Sequence, residues 1–236
     1  MIDAAAIPVA MVSWRPAFRI IRGIFPPIDL FEDIADPKDW ALLIAVEMKT
    51  NPRLMASLGN LDLVPPNRRV SGPGASFLMA PFTHVSPDRP SRFSSGAYGV
   101  LYAGDRFEVA LFETIHHHAR FMARTKEAAG WTSQFREVRL DVVAKLRDMR
   151  DGDPAYAAAL DPTDQTAGRE LGARLRAAGS DGIVYPSRRF AGGECVGLFY
   201  PDSASNAFQA RRLDYHWDGA RVDLVRVGGG ELFRVV

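Results

Sequence analysis

With one cysteine, Cys195, in 236 residues, the chain can form no intrachain disulfide. That excludes the disulfide-stapled secreted scaffolds and agrees with a reducing compartment. Charge of one sign is missing too: 29 Lys and Arg stand against 28 Asp and Glu, a formal +1. So even a balance gives no general attraction to nucleic acid or to an anionic membrane surface. No run approaches the ~18 apolar residues that a membrane helix needs. The short apolar opening from Met1 to Val12 carries Asp3 where a leader would be basic, and no small-residue cleavage pattern follows it. No signal peptide is expected. Internal repeats and long low-complexity linkers are also lacking. These absences predict a soluble, cytoplasmic protein that engages neither nucleic acid nor a membrane directly.

What is present is globular: 47% of residues are hydrophobic and 24% charged, enough for one sizeable core with an N-terminal elaboration. The first third is heavily punctuated, by Pro26-Pro27, Pro37, Pro52, Pro65-Pro66, Gly72-Pro73-Gly74, Pro81, Pro87 and Pro90. It leaves room for one good helix, with Asp36 as N-cap, Pro37 at the first position, and Trp40, Leu43, Ile44 and Met48 at helical spacing. The remainder of that third reads as loops and short strands.

Beyond Gly99 the pattern is cleaner. Val100-Leu101-Tyr102 suits a buried strand. Asp105 and Glu108 form a D-x-x-E capping box, opening a helix to about Met122. Val138, Leu140 and Val142 alternate with charged residues as in a half-buried strand. Thr163 to Ala178 predicts a second helix, with Gly179 as its C-terminal stop. Ile183 to Tyr185 and Cys195 to Tyr200 read as strands. Arg211 to Trp217 and Arg221 to Val227 flank Asp218-Gly219, a strong hairpin signal. Helices and strands mix without a regular βαβ rhythm, so the expected class is α+β.

One group of residues can carry chemistry. Glu113 and His117 are four apart and share a helix face. Tyr102 ends the preceding strand, and Arg92 lies ten residues before it. The four can surround one pocket mouth: a guanidinium for a pyrophosphate, a ring for a flat heterocycle, a carboxylate for a ribose. Spacing alone equally allows a surface arginine, a strand tyrosine and a solvated Glu–His pair, which is the commoner arrangement. His116-His117-His118 invites a metal, but neighbouring helical residues point about 100° apart and no second ligand cluster accompanies them, so no metal is expected. A metal-dependent hydrolase on Glu113 and His117 is the corresponding minor alternative. Ser187, with Arg188 and Arg189, could meet a phosphate or ribose, or could be only a turn residue after Pro186. No G-x-S-x-G elbow, P-loop or dinucleotide fingerprint occurs. Cys195, inside an apolar run, reads as a small core residue.

Taken in order, Ser91-Arg92-Phe93-Ser94, Gly99-Val100-Leu101-Tyr102-Ala103, Ala110-Leu111-Phe112-Glu113-Thr114-Ile115-His116-His117 and Asp181-Gly182-Ile183-Val184-Tyr185-Pro186-Ser187 resemble the RES domain. The likeness spans about Arg92 to Val227, with a weaker match at Phe18-Arg19-Ile20. It implies a fold similar to diphtheria-type ADP-ribosyltransferases, with mixed sheets and flanking helices. Residues 1–90 would be an extension packed on a catalytic core of residues 91–236. The chain departs from the family in that long N-terminal region and in Arg92-Phe93 where many members have Arg-Trp.

The resemblance further implies a toxin of a type II toxin–antitoxin module, paired with an Xre-like antitoxin that covers the active site. NAD⁺ would be its substrate, cleaved at the nicotinamide–ribose bond. ADP-ribose would pass to a protein such as phosphoribosyl-pyrophosphate synthetase; hydrolysis or phosphorolysis of NAD⁺ is the alternative, and a non-catalytic nucleotide-binding module a second. Carried over, Arg92 and Arg19 hold the phosphates, Tyr102 packs on nicotinamide, and Glu113 stabilises the oxocarbenium-like charge. Ser187 orders the nicotinamide or ribose side, and His117 supports Glu113 or polarises the acceptor.

Overall fold

Apolar and polar residues alternate loosely from Val9 to Arg22, and this stretch forms the fourteen-residue strand β1. The computed structural model describes residues 3–24, 40 and 59–235. The predicted helix after Asp36 lies outside them except for Trp40, which is helical and buried. Helix α1 (Ala75–Thr83) follows, then β2 (Leu101–Gly104), α2 (Phe107–Met122) and β3 (Trp131–Asp148). Helix α3 (Thr166–Ala177) leads into β4 (Gly182–Pro186) and β5 (Glu194–Leu198). The chain ends in β6 (Ala204–Trp217), β7 (Val222–Val227) and β8 (Glu231–Arg234). The class is α+β, with one mixed eight-stranded sheet and helices packed on it.

The pairings close on themselves. β1 runs antiparallel to β3, β3 is parallel to β4, β4 pairs with β5, β5 with β2, and β2 with β1 through Phe18 opposite Gly104. β6, β7 and β8 extend the sheet outward from β3. Val12, Val138, Leu140, Val142, Leu146, Val184, Val196 and Leu198 fill one core, covered in part by α1 through Leu78, Met79 and Phe82. A second core joins Phe93, Leu171, Leu175, Ile183 and Phe199, and a third lies under α2 through Leu111, Ile115 and Met122.

Several sequence expectations need correction. β1 is longer than the short strands expected of the first third, its register with β3 shifting between Trp14 and Ala17. The capping box does not form. Asp105 instead accepts from the Glu194 amide at 3.0 Å and pairs with Arg106, so the N-cap is Arg106, without a side-chain cap. β3 is not simply half-buried: the run from Phe135 to Val138 is buried on both faces, Glu137 included. α3 starts at Thr166, because Asp161 and Asp164 use their carboxylates on the amides of Thr163, Asp164 and Thr166 and hold the preceding chain in turns. Its end is as read: the Gly179 amide donates to Arg176 and that of Ser180 to Leu175, with Gly179 at φ +76.

The β6–β7 hairpin forms as expected, but its loop runs from Asp218 to Arg221 rather than two residues. The Asp218 carboxylate accepts from the amides of Ala220 and Arg221 at 2.8 and 2.7 Å. Asp218→Ala, which removes the one oxygen that accepts both bonds, should lower the denaturation midpoint. An unchanged denaturation midpoint would show that the turn does not depend on this carboxylate.

Candidate active site

α2 lays its apolar residues, Val109, Leu111, Ile115 and Met122, against the sheet. Glu113, His117, Arg120 and Arg124 share another face of the same helical run and line a cleft of about 740 Å³. That volume lies within the usual range for small-molecule sites. Across from α2 the wall is β1 through Phe18, Arg19 and Ile20, and β2 through Tyr102, Ala103 and Gly104. The chain before β2 adds Asp88 to Arg92, and α3 adds Arg169.

Six arginines line the cleft (Arg19, Arg89, Arg92, Arg120, Arg124 and Arg169) against two carboxylates, Asp88 and Glu113. Arg19 is half-buried and donates to the Tyr102 carbonyl at 2.9 Å, not to a carboxylate. Burial lowers its pKa to about 10, an effect the neighbouring Tyr102 partly opposes, and it stays charged near neutrality. Arg92 donates to the Asp161 carbonyl at 2.9 Å, and Arg169 to the Ser91 carbonyl at 3.3 Å. None of the six pairs with an acid among the described residues, so their charge faces open volume. A cleft so lined concentrates anions.

Glu113 is held from outside its helix. Ser187, just past β4, donates to Glu113 Oε1 at 2.8 Å. Its oxygen meanwhile accepts from the amides of Arg189 and Phe190 at 3.1 and 3.2 Å. With both acceptor positions used, the single hydroxyl proton goes to the carboxylate. Ser187 therefore has no proton left for a second acceptor in this arrangement. Cys195 Sγ lies 3.9 Å from the same oxygen, buried as expected. Burial, with Glu113 adding to it, pushes its pKa up and keeps it a thiol.

Tyr102 keeps its ring on the cleft wall and its hydroxyl turned away from α2. The hydroxyl accepts from the Phe93 amide at 3.0 Å and donates to Ser91 Oγ at 3.0 Å. Burial raises its pKa, so it remains a donor.

The three histidines diverge as helix geometry requires. His117 lines the cleft with neither ring nitrogen hydrogen-bonded among the described residues. It is exposed at its outer edge, yet desolvation on the cleft side lowers its pKa, with Glu113 acting in the opposite sense. His116 meets Arg189 at 2.8 Å, and burial followed by that cation lowers its pKa to about 4. His118 is buried against Phe135 and Tyr215, again with a pKa near 4 through burial and Arg22. No group of three or more His, Cys, Asp or Glu capable of holding a metal occurs among the described residues.

Arg19, Arg92, Tyr102, Glu113 and His117 thus meet in one cleft, with Ser187 joined through Glu113. Arg188 is exposed, Arg189 is engaged by His116, and neither lines it. Arg89, Arg120, Arg124 and Arg169 were not anticipated. For Arg120 and Arg124 the signal was available, since they continue the Glu113–His117 face at spacings of three and four.

Fold and cleft define a class: an α+β domain whose sheet closes on itself through β1 and β3, with an anion-attracting pocket bearing one anchored carboxylate. The RES domain family model matches residues 66–218, and the chain belongs to that family. An uncharacterized protein, y4oC, of Sinorhizobium fredii (strain NBRC 101917 / NGR234) is 26% identical over 210 residues, 88% of this chain and 85% of that one. The crystal structure of the M. tuberculosis MbcT–MbcA toxin–antitoxin complex has a chain that is 10% identical, with a TM-score of 0.43, covering 88% of this chain and 89% of its own.

Proposed function

We propose that the protein is the toxin of a toxin–antitoxin pair, that it cleaves NAD⁺ between nicotinamide and ribose, and that it transfers ADP-ribose to a protein acceptor. Membership of the RES family supports the class. The single observation that carries the chemistry is Glu113, an anchored carboxylate in a cleft lined by six arginines. The pyrophosphate suits the arginines, Arg19 and Arg92 foremost. Breaking the glycosidic bond develops positive charge on the ribose, and a fixed carboxylate stabilises that charge without reorganising. Tyr102 offers its ring to the nicotinamide, and His117, unbonded at the cleft edge, is the group available to the acceptor. An Xre-like antitoxin would silence the protein by covering this cleft.

Phosphorolysis is the second reading. Six guanidinium groups exceed what one pyrophosphate needs, which leaves room for inorganic phosphate as acceptor. Purified protein incubated with NAD⁺ labelled in the adenylate, with and without cell lysate and phosphate, separates the outcomes. Protein transfer leaves a labelled band and phosphorolysis a phosphate-dependent product. No release of nicotinamide under any condition would defeat both readings.

Removing the anchor has a defined result. Ser187→Ala should lower the rate of nicotinamide release about tenfold to a hundredfold, the penalty for a mispositioned reacting group. The Michaelis constant should change little, because Ser187 has no proton left for the substrate. A variant as fast as wild type would show that Glu113 is held well enough without it.

A further inference from the structure

We infer that α3 is a positioning element for Arg92: its Gly168 and Gly172, together with the hydroxyls of Tyr102 and Ser91, lock the Ser91–Phe93 backbone so that the guanidinium stands in the cleft. This rests on the reading of the cleft as a site for a pyrophosphate-bearing ligand.

Gly168 and Gly172 lie one turn apart within α3, Gly168 in its first turn and Gly172 near its middle, where glycine weakens a helix relative to alanine. Both are buried, and each faces a backbone carbonyl of the same short segment. A Cβ on Gly168 would lie 2.6 Å from the Arg92 carbonyl oxygen and 2.8 Å from that of Ala159. One on Gly172 would collide with the Phe93 carbonyl outright. The two glycines form a notch into which the Arg92–Phe93 backbone is pressed.

From the other side the segment is fixed on either flank of Arg92. The Tyr102 hydroxyl takes the Phe93 amide and gives its proton to Ser91 Oγ, so a single group spans the arginine. Ser91 also donates its amide to the Ser94 carbonyl at 2.8 Å, and its own carbonyl receives Arg169 from α3. The Phe93 carbonyl accepts from the Tyr98 hydroxyl. The backbone is thus held on both flanks of Arg92, while among the described residues the side chain is tied by a single hydrogen bond, to the Asp161 carbonyl. Such a cage sets where a flexible side chain ends, which matters for ligand binding and not for the bond-breaking step.

Binding of ADP-ribose tests this, because ADP-ribose keeps the pyrophosphate and requires no cleavage. Calorimetric dissociation constants are compared for wild type, Gly172→Ala, Tyr102→Phe, Arg92→Ala and Gly172→Ala combined with Arg92→Ala. Gly172→Ala should weaken binding about tenfold or more, and Tyr102→Phe, which retains the ring, should weaken it in the same direction. In the Arg92→Ala background Gly172→Ala should add almost nothing, as expected of two changes acting through one group. Full multiplication of the two effects, or unaltered binding in both Gly172→Ala and Tyr102→Phe, overturns the inference. Should Gly172→Ala fail to fold, Tyr102→Phe, alone and with Arg92→Ala, decides by the same criterion. Wild type that binds ADP-ribose but releases no nicotinamide from NAD⁺ would defeat the proposed reaction and leave the positioning role intact. Wild type that does not bind ADP-ribose defeats the positioning role.

Discussion

Glu113→Gln should slow nicotinamide release from NAD⁺ by about 10²–10³-fold, or ~2.7–4 kcal/mol, the effect of removing one preorganised electrostatic group. The substitution keeps an oxygen that can accept from Ser187, so the loop beyond β4 and the cleft should survive. What disappears is the negative charge opposite the developing cation. The loss should therefore fall on kcat, with the Michaelis constant within about threefold of wild type. A variant releasing nicotinamide at the wild-type rate would remove Glu113 from the chemistry. A variant with normal kcat and a raised Michaelis constant would recast it as a binding group.

The largest stability effect is expected at Glu137, away from the cleft. Its side chain is wholly buried on β3 between Arg139, 2.8 Å away, and Arg211, which it meets by a very short contact. Arg211 in turn covers the Phe107 ring at the start of α2, and Arg139 approaches Phe18 on β1. Glu137→Ala leaves two guanidinium groups without their carboxylate. Removing one partner of a buried ion pair costs about 3–5 kcal/mol. Each arginine is about a third exposed and water recovers part of the loss, so about 3 kcal/mol is expected.

The pH dependence follows from the same contacts. Burial by itself would raise the Glu137 pKa, but hydrogen bonds and charge from Arg211 and Arg139 prevail and hold it below 4.5. A depressed folded-state pKa means that the stabilisation is present above the ordinary carboxylate range and fades as pH falls through the folded value. Denaturant unfolding at pH 7 and pH 3 should show Glu137→Ala with a smaller deficit against wild type at the lower pH. An equal deficit at both would mean that packing, not charge, is what Glu137 contributes.

Glu137 also shows where sequence reading stops. Val138, Leu140 and Val142 alternate with Glu137, Arg139 and Asp141, and period-two alternation ordinarily assigns the charged set to water. In this sheet the strand is buried on both faces near Phe135 to Val138, Phe135 in the core under α2 and Val138 in the core covered by α1, and the Glu137 carboxylate is neutralised there by Arg139 and Arg211. Tertiary pairing of that kind leaves no local mark. Arg15, Pro16, Arg19 and Arg22 interrupt the apolar pattern of β1, so within it only Phe18-Arg19-Ile20 is marked, through the family resemblance, as the match to an opening strand, and Arg19 is a cleft residue. α1 carries Pro81 within it and follows a Gly-Pro-Gly stretch, both of which argue for loop when read locally. α2, α3, β4, β5 and the β6–β7 hairpin were legible because their patterns agree with their surroundings. In the cleft, Glu113 and His117 were visible from their spacing, whereas Arg169 and the notch at Gly168 and Gly172 depend on α3 packing against a segment some eighty residues earlier.

The closed circuit of pairings from β1 through β3, β4, β5 and β2 bears on when the cleft can be assembled. Ser187, which anchors Glu113, is made 168 positions after Arg19. At typical elongation rates of about 5–20 residues per second, this interval is roughly 8–34 s, during which the nascent chain has no completed cleft. β1 meanwhile waits for partners on β3 more than a hundred residues away, a topology rich in non-local contacts that folds slowly. A cleft built this way is completed only once Ser187 has been made and the β1–β3 pairing has closed.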